Sequence, residues 1–517
     1  MNKTAKISIL AALAAALTLA GLCATLYTRY DEEARKTEEL RTQLKELRKQ
    51  EEQSAVMQSI NAQMEEIALQ ERRISDEQRE AAEEQTKVAE RMRRHAEEEQ
   101  HKALSAQHAA QAAEEVANSQ RLIAESQRSQ AENSKRVADT LSYLMVARQL
   151  GHVAVTQHKA GNKSLAELLA YTAWLFTERY HGDIYSPTVY QALVLTSQSR
   201  YQWNRNKGSV TDVSFGDLPD NQFLTCSSYG EILSHREKDF NLKSDTIYMN
   251  KDFDFRDVWY NSQHKTLFAV SRTGHLLVMR DGKATITNII GVRHPERLEM
   301  IGSEYAIIGE NGLALIEEGT WKQKGVRSLP FKVMAIARME GCCLLFDDKG
   351  RCHLMRGIDR YETAQLPFTG QVTAFACSNT LGLKVYGMLD GTLNIVDRNG
   401  KTQRLVGHRS RVSKIKVNGW RVYSSSFDGT LNLWNADNAK IEPITIIQTN
   451  GWLTDFNFDI HKDNIWCGDH RGNLIESIIS LPNMVRRLRG KLKRNFTQDE
   501  WEYYIGRNIP YETFINR

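Results

Sequence analysis

The chain has 517 residues, 26% charged, 41% hydrophobic and 8% aromatic, with a formal net charge of +4 from 68 basic and 64 acidic side chains. These averages conceal a split that excludes one compact domain: all nine tryptophans lie from Trp174 on, all eight prolines from Pro187 on, and no glycine stands between Gly21 and Gly151. Residues 1–150 carry a net −3 and the remainder +7, so neither half has the charge of a dedicated nucleic-acid binder.

Lys3 and Lys6 precede an uncharged run from Ile7 to Tyr27. At ~1.5 Å per helical residue it is long enough to span a ~30 Å hydrocarbon core. A cleaved signal peptide is the competing reading, but Leu22 and Cys23 make poor cleavage exits, and Leu22 is too bulky before Cys23 for lipid attachment. Residues 1–28 are therefore expected to be an uncleaved signal anchor, crossing the membrane once through residues 7–27. Charge counts on its two flanks disagree: Lys3 and Lys6 favour translocation of the C-terminal part, whereas Arg29, Arg35, Lys36, Arg41 and Lys45 oppose it. The short basic tail before a signal-like apolar run tips the expectation toward an extracytoplasmic placement of that part.

Residues 31–142 contain no Phe, Trp or Tyr and are rich in helix formers, which excludes a globular core and disfavours disorder. Met57, Ile60, Met64, Ile67, Ile74, Ala81, Val88 and Met92 fall on a heptad seam, interrupted by Glu71, Gln78 and Gln85 and continued by Ala103, Ala106, Ala110, Ala113 and Ala117. Residues 29–140 are expected to form a long helical coiled coil through which the chain homo-oligomerises. A solvated single helix or a folded-back hairpin is the alternative.

Aromatic residues return at Tyr143, and 141–199 reads as a helical adaptor of three short amphipathic helices. The first holds Leu144, Met145, Ala147 and Leu150, the second runs from Ser164 through Trp174 and Phe176, and Ser186 with Pro187 opens a third ending near Gln198. Gly161 to Ser164 is a helix-to-helix turn rather than a phosphate loop, because Asn162 breaks the Gly-Lys-Ser run and no strand precedes it.

Beyond residue 200 a hairpin recurs with glycine in its turn: Gly230, Gly274, Gly312, Gly350, Gly391, Gly429 and Gly472, spaced 44, 38, 38, 41, 38 and 43 residues apart. A period near 40 with alternating apolar segments signals four-stranded propeller blades, hence seven blades over 200–481. Residues 200–206 are expected to supply the outer strand of the last blade and close the ring, so deleting 200–207 should cause aggregation. After Pro482 the segment 482–517 is a basic helical tail with Arg486, Arg487, Arg489, Lys491, Lys493 and Arg494; Thr497 and Glu500 have capping-box spacing.

Val406-Gly407-His408 followed by Asp428-Gly429-Thr430-Leu431-Asn432-Leu433-Trp434-Asn435 resembles the WD-repeat β-propeller family, with the terminal Trp-Asp altered to Trp-Asn. The resemblance implies a hydrogen-bond relay fixing the blade, mapping to His408, Ser426, Asp428 and Trp434. Residues 495–514 resemble the terminal segment of bacterial WD-repeat proteins that carry STAND-type NTPase or caspase-like modules, and Ala147 to Leu150 with Ser164 to Trp174 resemble their pre-propeller linker. No such effector module is expected ahead of the membrane segment.

The seven cysteines lack metal or disulfide spacing. Cys226, Cys343, Cys352, Cys377 and Cys467 are expected inside strands, Cys342 and Cys343 are vicinal, and unpaired core thiols fit a reducing compartment better, against the topology lean. His461, Cys467, Asp469 and His470 read as a loop hairpin rather than a metal site. The expectation is a multidomain, non-enzymatic protein: transmembrane helix, coiled coil, helical adaptor, all-β seven-bladed propeller and helical tail. It has no catalytic, cofactor or metal site, sits in a bacterial inner membrane with a periplasmic propeller, and binds other proteins through the propeller faces, without nucleic acid. The alternatives are the recognition subunit of a STAND-like signalling or defence system whose effector is a separate chain, and a propeller hydrolase or lyase.

Overall fold

The computed structural model describes residues 84, 86–92, 94, 110–197, 201–216, 218, 222–238, 241–339, 341–438 and 440–515. The expected membrane segment and most of the heptad seam lie outside them. Among the described residues no helix is long and apolar enough to cross a membrane. The chain divides into two compact units, Met1–Lys135 and Arg136–Arg517.

In the first unit the described residues are helical, and 84, 86–92, 94 and 120–135 are exposed. Arg121 pairs with Glu125 at 3.7 Å and Arg128 with Glu132 at 3.2 Å, each one turn apart. The seam residues Val88 and Met92 are exposed on the single chain.

Helix α1 (Ala110–Lys159) runs unbroken across the expected 140/141 boundary, so the first adaptor helix is the end of this longer one. Burial rather than a helix break marks the change: Ala147, Leu150 and Ala154 are fully buried. Gly151 is the point of closest approach, where a Cβ would lie 2.8 Å from the Thr188 carbonyl oxygen. Helices α2 (Lys163–Arg179) and α3 (Pro187–Ser197) complete the adaptor.

The strands then begin with β1 (Tyr201–Asn204). Blade 1 holds β2 (Val210–Ser214), β3 (Gln222–Ser227), β4 (Glu231–Lys238) and β5 (Asn241–Met249), and blade 2 holds β6 (Phe255–Asn261), β7 (Thr266–Ser271), β8 (His275–Arg280) and β9 (Lys283–Asn288). Blade 3 holds β10 (Arg297–Ile301), β11 (Glu304–Gly309), β12 (Gly312–Ile316) and β13 (Gln323–Ser328), and blade 4 holds β14 (Val333–Met339), β15 (Cys342–Asp347), β16 (Arg351–Gly357) and β17 (Arg360–Gln365). Blade 5 holds β18 (Val372–Ser378), β19 (Leu383–Met388), β20 (Leu393–Val396) and β21 (Thr402–Leu405), and blade 6 holds β22 (Val412–Asn418), β23 (Arg421–Ser426), β24 (Thr430–Asn435) and β25 (Pro443–Gln448). Blade 7 has β26 (Leu453–Phe458), β27 (Asn464–Asp469) and β28 (Asn473–Ile478), and its fourth strand is β1.

The ring thus closes as the sequence suggests: β1 runs antiparallel to β28, with Tyr201 opposite Glu476 and Asn204 opposite Asn473. Trp203 fastens the strap by stacking on Trp466 at 5.4 Å. Apolar side chains from adjacent blades interdigitate, as where Phe268 and Val278 of blade 2 meet Ile307 and Ala314 of blade 3. Cys226, Cys342, Cys343 and Cys467 are buried, Cys352 and Cys377 half-buried, and none of these six is in a disulfide; all six lie in strands.

Six of the seven repeat glycines have a positive φ, from 75° at Gly350 to 94° at Gly274. Gly312 does not. It is the first residue of β12, opposite Gly309, and the turn is made by Glu310 and Asn311. At Gly230 and Gly472 the space is also closed, since a Cβ would fall on the carbonyl oxygens of Asn250 and Asn206.

Two segments remote in sequence, the adaptor and the tail, share one core with blades 6 and 7. Leu169, Phe176 and Tyr190 pack with Met484 and Leu488 of α4 (Leu481–Lys491), Trp501 of α5 (Gln498–Tyr504), and strand residues including Tyr423 and Ile475. Arg179 forms a two-pronged pair with Glu512, at 2.6 and 2.8 Å. Of the basic tail residues, Arg487 donates to the Tyr201 hydroxyl, Lys491 to the Thr196 carbonyl and Arg494 to Glu500, so half of that cluster is structural. The Thr497 and Glu500 capping box is formed.

Candidate functional site

The relay in blade 6 ties the start of the repeat to its third strand. His408 Nε2 lies 2.7 Å from the Ser424 hydroxyl, which also accepts the Trp434 indole N–H at 2.8 Å. His408 Nδ1 faces Thr430 Oγ1 at 2.9 Å and Asp428 Oδ2 at 3.3 Å. Asp428 accepts the backbone N–H groups of Arg409 and Thr430, and despite its burial the bonds from His408 and Thr430 hold its carboxyl well below the usual range. The hydroxyl inside this relay is therefore that of Ser424, not Ser426. Ser426 stands two residues further along β23, roughly 6.6 Å at strand rise, and donates to the Ser410 carbonyl at the turn. Trp434 is opposite Val422, so its indole reaches the diagonal position, which is Ser424.

Blade 1 builds the same relay from other residues. Asn206 bonds Thr225 at 3.2 Å, Thr225 lies 2.8 Å from His235 Nε2, and Glu231 accepts from Ser227 and the Lys207 backbone. Counted from the turn glycines, Thr225 and His235 occupy the places of Ser424 and Trp434, and Asn206, like His408, stands three residues before the carbonyl (Ser209, Arg411) that accepts the amide following the second strand. Sequence reading misses this relay because Asn206 and His235 stand where the family has His and Trp, although Thr225 keeps the hydroxyl and the spacing of Thr225 and His235 from Gly230 is intact.

These relays stiffen one face of the ring. In all seven blades the amide after the second strand donates, at 2.7–3.2 Å, to a carbonyl just before the innermost strand: Ser228 to Ser209, Arg272 to Asp254, Glu310 to Arg293, Asp348 to Lys332, Leu389 to Gln371, Phe427 to Arg411 and His470 to Trp452. These pairs form the rim of the turn face.

Below the rim, one inner-strand position repeats in each blade: Asp212, Asp257, Arg297, Ala335, Ala374, Lys414 and Asp455, in blade order. The three aspartates reach forward to the next blade. Asp455 accepts Val213 N–H at 3.0 Å, Asp212 accepts Val258 N–H at 3.1 Å, and Asp257 accepts Leu298 N–H at 3.3 Å. Lys414 lies 2.7 Å from Asp455 and 3.9 Å from Asp212, and Arg297 lies 3.9 Å from Asp257 and 3.1 Å from Glu299. The preceding residue supplies a second tie: Thr211, Thr373, Ser413 and Thr454 donate to the carbonyls of Phe255, Val412, Leu453 and Val210 in the following blade.

This crowding moves the channel's titrations. Burial and the neighbouring Asp455 push the Asp212 carboxyl up to about 7, while burial and Lys414 lower Lys416 to about 8. Burial alone would lower Lys414, but Asp455 and Asp212 outweigh it and raise its pKa. These groups serve one another and the backbone.

On the rim, blades 5 to 7 differ from blades 2 to 4. Leu389, Phe427 and Trp452 stand on the first side and charged residues on the second, with Leu389 46% and Trp452 55% exposed. Phe427 and Trp452 stack at 5.3 Å with 7° between their planes. Of the residues weighed as a metal hairpin, His470 accepts the Trp452 N–H, Asp469 accepts from Arg471 and Asn473, and Cys467 is buried in β27. Among the described residues no group of three His, Cys, Asp or Glu could hold a metal ion.

No protein-family model matches the chain, and no curated protein matches it. Among solved structures, the WD40 β-propeller domain of Doa1 is 15% identical, covering 55% of this chain and 97% of that one at a TM-score of 0.45. Sqt1 of Saccharomyces cerevisiae is 10% identical, covering 54% of this chain and 98% of that one at a TM-score of 0.44. The fold itself is read from the seven four-stranded sheets and their closure by β1, which make the second unit a seven-bladed β-propeller with helices attached.

Proposed function

We propose that this chain is a non-enzymatic protein-interaction scaffold or sensor, anchored in a bacterial inner membrane through residues 7–27 and carrying its propeller on the helix of residues 29–140 into the periplasm. The observation that carries the binding reading is the apolar rim of blades 5 to 7, with Leu389 and Trp452 exposed and Phe427 half-buried between rigid turns. The channel carboxylates are committed to backbone N–H groups and to Lys414 and Arg297, which supports binding over hydrolytic or lyase chemistry. Exposure of Val88 and Met92 on the single chain supports self-association through the long helix.

A photo-crosslinking residue placed at Trp452, and as a control at Ile286 on the outer strand of blade 2, tests the rim in living cells. Protein adducts specific to position 452 are expected; equal or absent adducts sink the reading. Fusions of alkaline phosphatase and of a fluorescent protein to the C-terminus test the topology. Phosphatase activity is expected, and fluorescence without it overturns the periplasmic placement.

A second reading is favoured by the shared core of the adaptor and the tail, the two segments whose sequences resemble those of STAND-associated proteins. Here the chain is the recognition subunit of such a system, and an NTPase or caspase-like chain would co-purify with it stoichiometrically.

A further inference from the structure

Arg411 immediately precedes β22 on the turn face, and its carbonyl is tied to the Phe427 amide. Its guanidinium lies over the Phe427 ring, 5.4 Å from the centroid, and the stack continues through Trp452 to His470, 5.3 Å further on. Two other arginines at the channel mouth have acids: Arg256 meets Asp254 at 2.6 Å, and Arg272 lies 3.8 Å from Glu296. Arg411 has neither a carboxylate within 4 Å nor a side-chain hydrogen bond among the described residues, and its Nε is buried without a partner. Burial holds its pKa below the usual range, and Arg272 and Arg256 push it the same way against the pull of Glu296. Those residues belong to blades 2 and 3, whereas Arg411 precedes blade 6.

A cation half-withdrawn from water with no carboxylate in contact gains too little to offset its lost hydration, and a ligand that supplies the contact completes it. We propose that Arg411, with Phe427 and Trp452, forms a docking site for an acidic peptide segment, taking a carboxylate or phosphate side chain on the guanidinium and a neighbouring apolar side chain on the two rings. A peptide fits better than a free anion because the ion site adjoins exposed apolar area that a small anion would leave uncovered. The proposal rests on the reading of the rim as a protein-binding surface and adds the chemistry of the partner.

Three fluorescein-labelled pools of eight-residue peptides, with Glu, phosphoserine or Gln fixed at the fourth position and Leu, Phe or Trp randomised on either side, are titrated against the full-length chain by fluorescence anisotropy. The Glu or the phosphoserine pool should bind about tenfold or more tightly than the Gln pool, as a charge-assisted hydrogen bond implies, and the tighter of the two identifies the anion. Arg411→Gln should erase the difference, whereas Arg489→Gln on α4 should leave it intact. The melting temperature of Arg411→Gln should equal or exceed the wild type's, because an uncompensated charge has been removed. A lower one makes Arg411 a structural residue and overturns the proposal. Equal binding of all three pools that is lost in Trp452→Ala overturns the anion site but leaves the protein-binding rim, and no binding by any pool overturns both.

Discussion

Ser424 is buried between two nitrogen groups, His408 Nε2 and Trp434 Nε1, and neither has water in reach. Ser424→Ala therefore orphans two buried polar atoms, and we expect a loss of about 1–3 kcal/mol. Ser426→Ala removes two bonds, to the Ser410 carbonyl and from the Asp428 N–H, but at a turn also held by Phe427 N–H and Gly429 N–H, so its effect should be smaller. Denaturant melts of the two variants check this order, and the reverse order would return the relay to Ser426. A pH titration examines the channel. The Asp212 carboxyl titrates near 7 when folded against an ordinary 3.8, so the folded chain keeps a proton that the unfolded chain has released. Stability from this group thus falls as pH rises from about 4 to about 7 and then levels off. Asp212→Asn keeps an oxygen for Val258 N–H and removes the charge. Its melting temperature should depend less on pH across that window and exceed the wild type's at pH 8; unchanged slope and midpoint would show that Asp212 is not the titrating group.

Among the elements, the outer strand β25 is covered in an unusual way. The Gln191 side chain on α3 donates to the Thr445 carbonyl at 2.8 Å and accepts the Thr445 N–H at 2.9 Å, imitating one residue of an adjoining strand. Because an open edge invites pairing with another chain, this amide both anchors the adaptor and blunts the edge. Gln191→Asn, one methylene too short, should lower stability by about 1–3 kcal/mol and raise light scattering on heating. Full stability in that variant would leave the apolar contacts as the adaptor's only anchor. Removal of β1 acts on the opposite element. Without residues 201–204, β28 becomes an open edge and Trp466 loses Trp203, so aggregation is expected; a deletion that stays soluble and melts normally would refute the strap.

The whole ring is unevenly tied. Carboxylate ties join blades 7 to 1, 1 to 2 and 2 to 3, and hydroxyl ties join 5 to 6, 6 to 7, 7 to 1 and 1 to 2. Among the described residues neither kind joins blade 3 to 4 or 4 to 5, where Arg297 and Ala335 stand at the ring position and Glu296 and Met334 replace the hydroxyl. Blades 6 and 7 gain in addition the helical core of adaptor and tail. Native-state hydrogen exchange should therefore release the amides of β14 to β17 before those of β22 to β28, since local opening follows the fewest cooperative contacts. Simultaneous exchange of all blades would mean that the interblade apolar clusters alone set the ring's stability.

What could be read from the chain by itself was what local geometry and repetition impose. A turn requiring positive φ admits glycine readily, so Gly230, Gly274, Gly350, Gly391, Gly429 and Gly472 announce their blades. Gly312 kept the period although its turn lies one step earlier. The strap was legible as well, because a last blade one strand short and a strand-like segment before the first blade leave one economical closure. The candidate site was much less legible. Ser424 and Ser426 have the same parity on one strand, and only the reach of the Trp434 indole separates them. The blade 1 relay, the ring of Asp212, Asp257 and Asp455, the union of adaptor with tail, and the solitary charge of Arg411 depend on residues brought together from distant repeats. Pattern determines which backbone repeats and where it turns; the circular arrangement of the blades decides which charges meet across the channel.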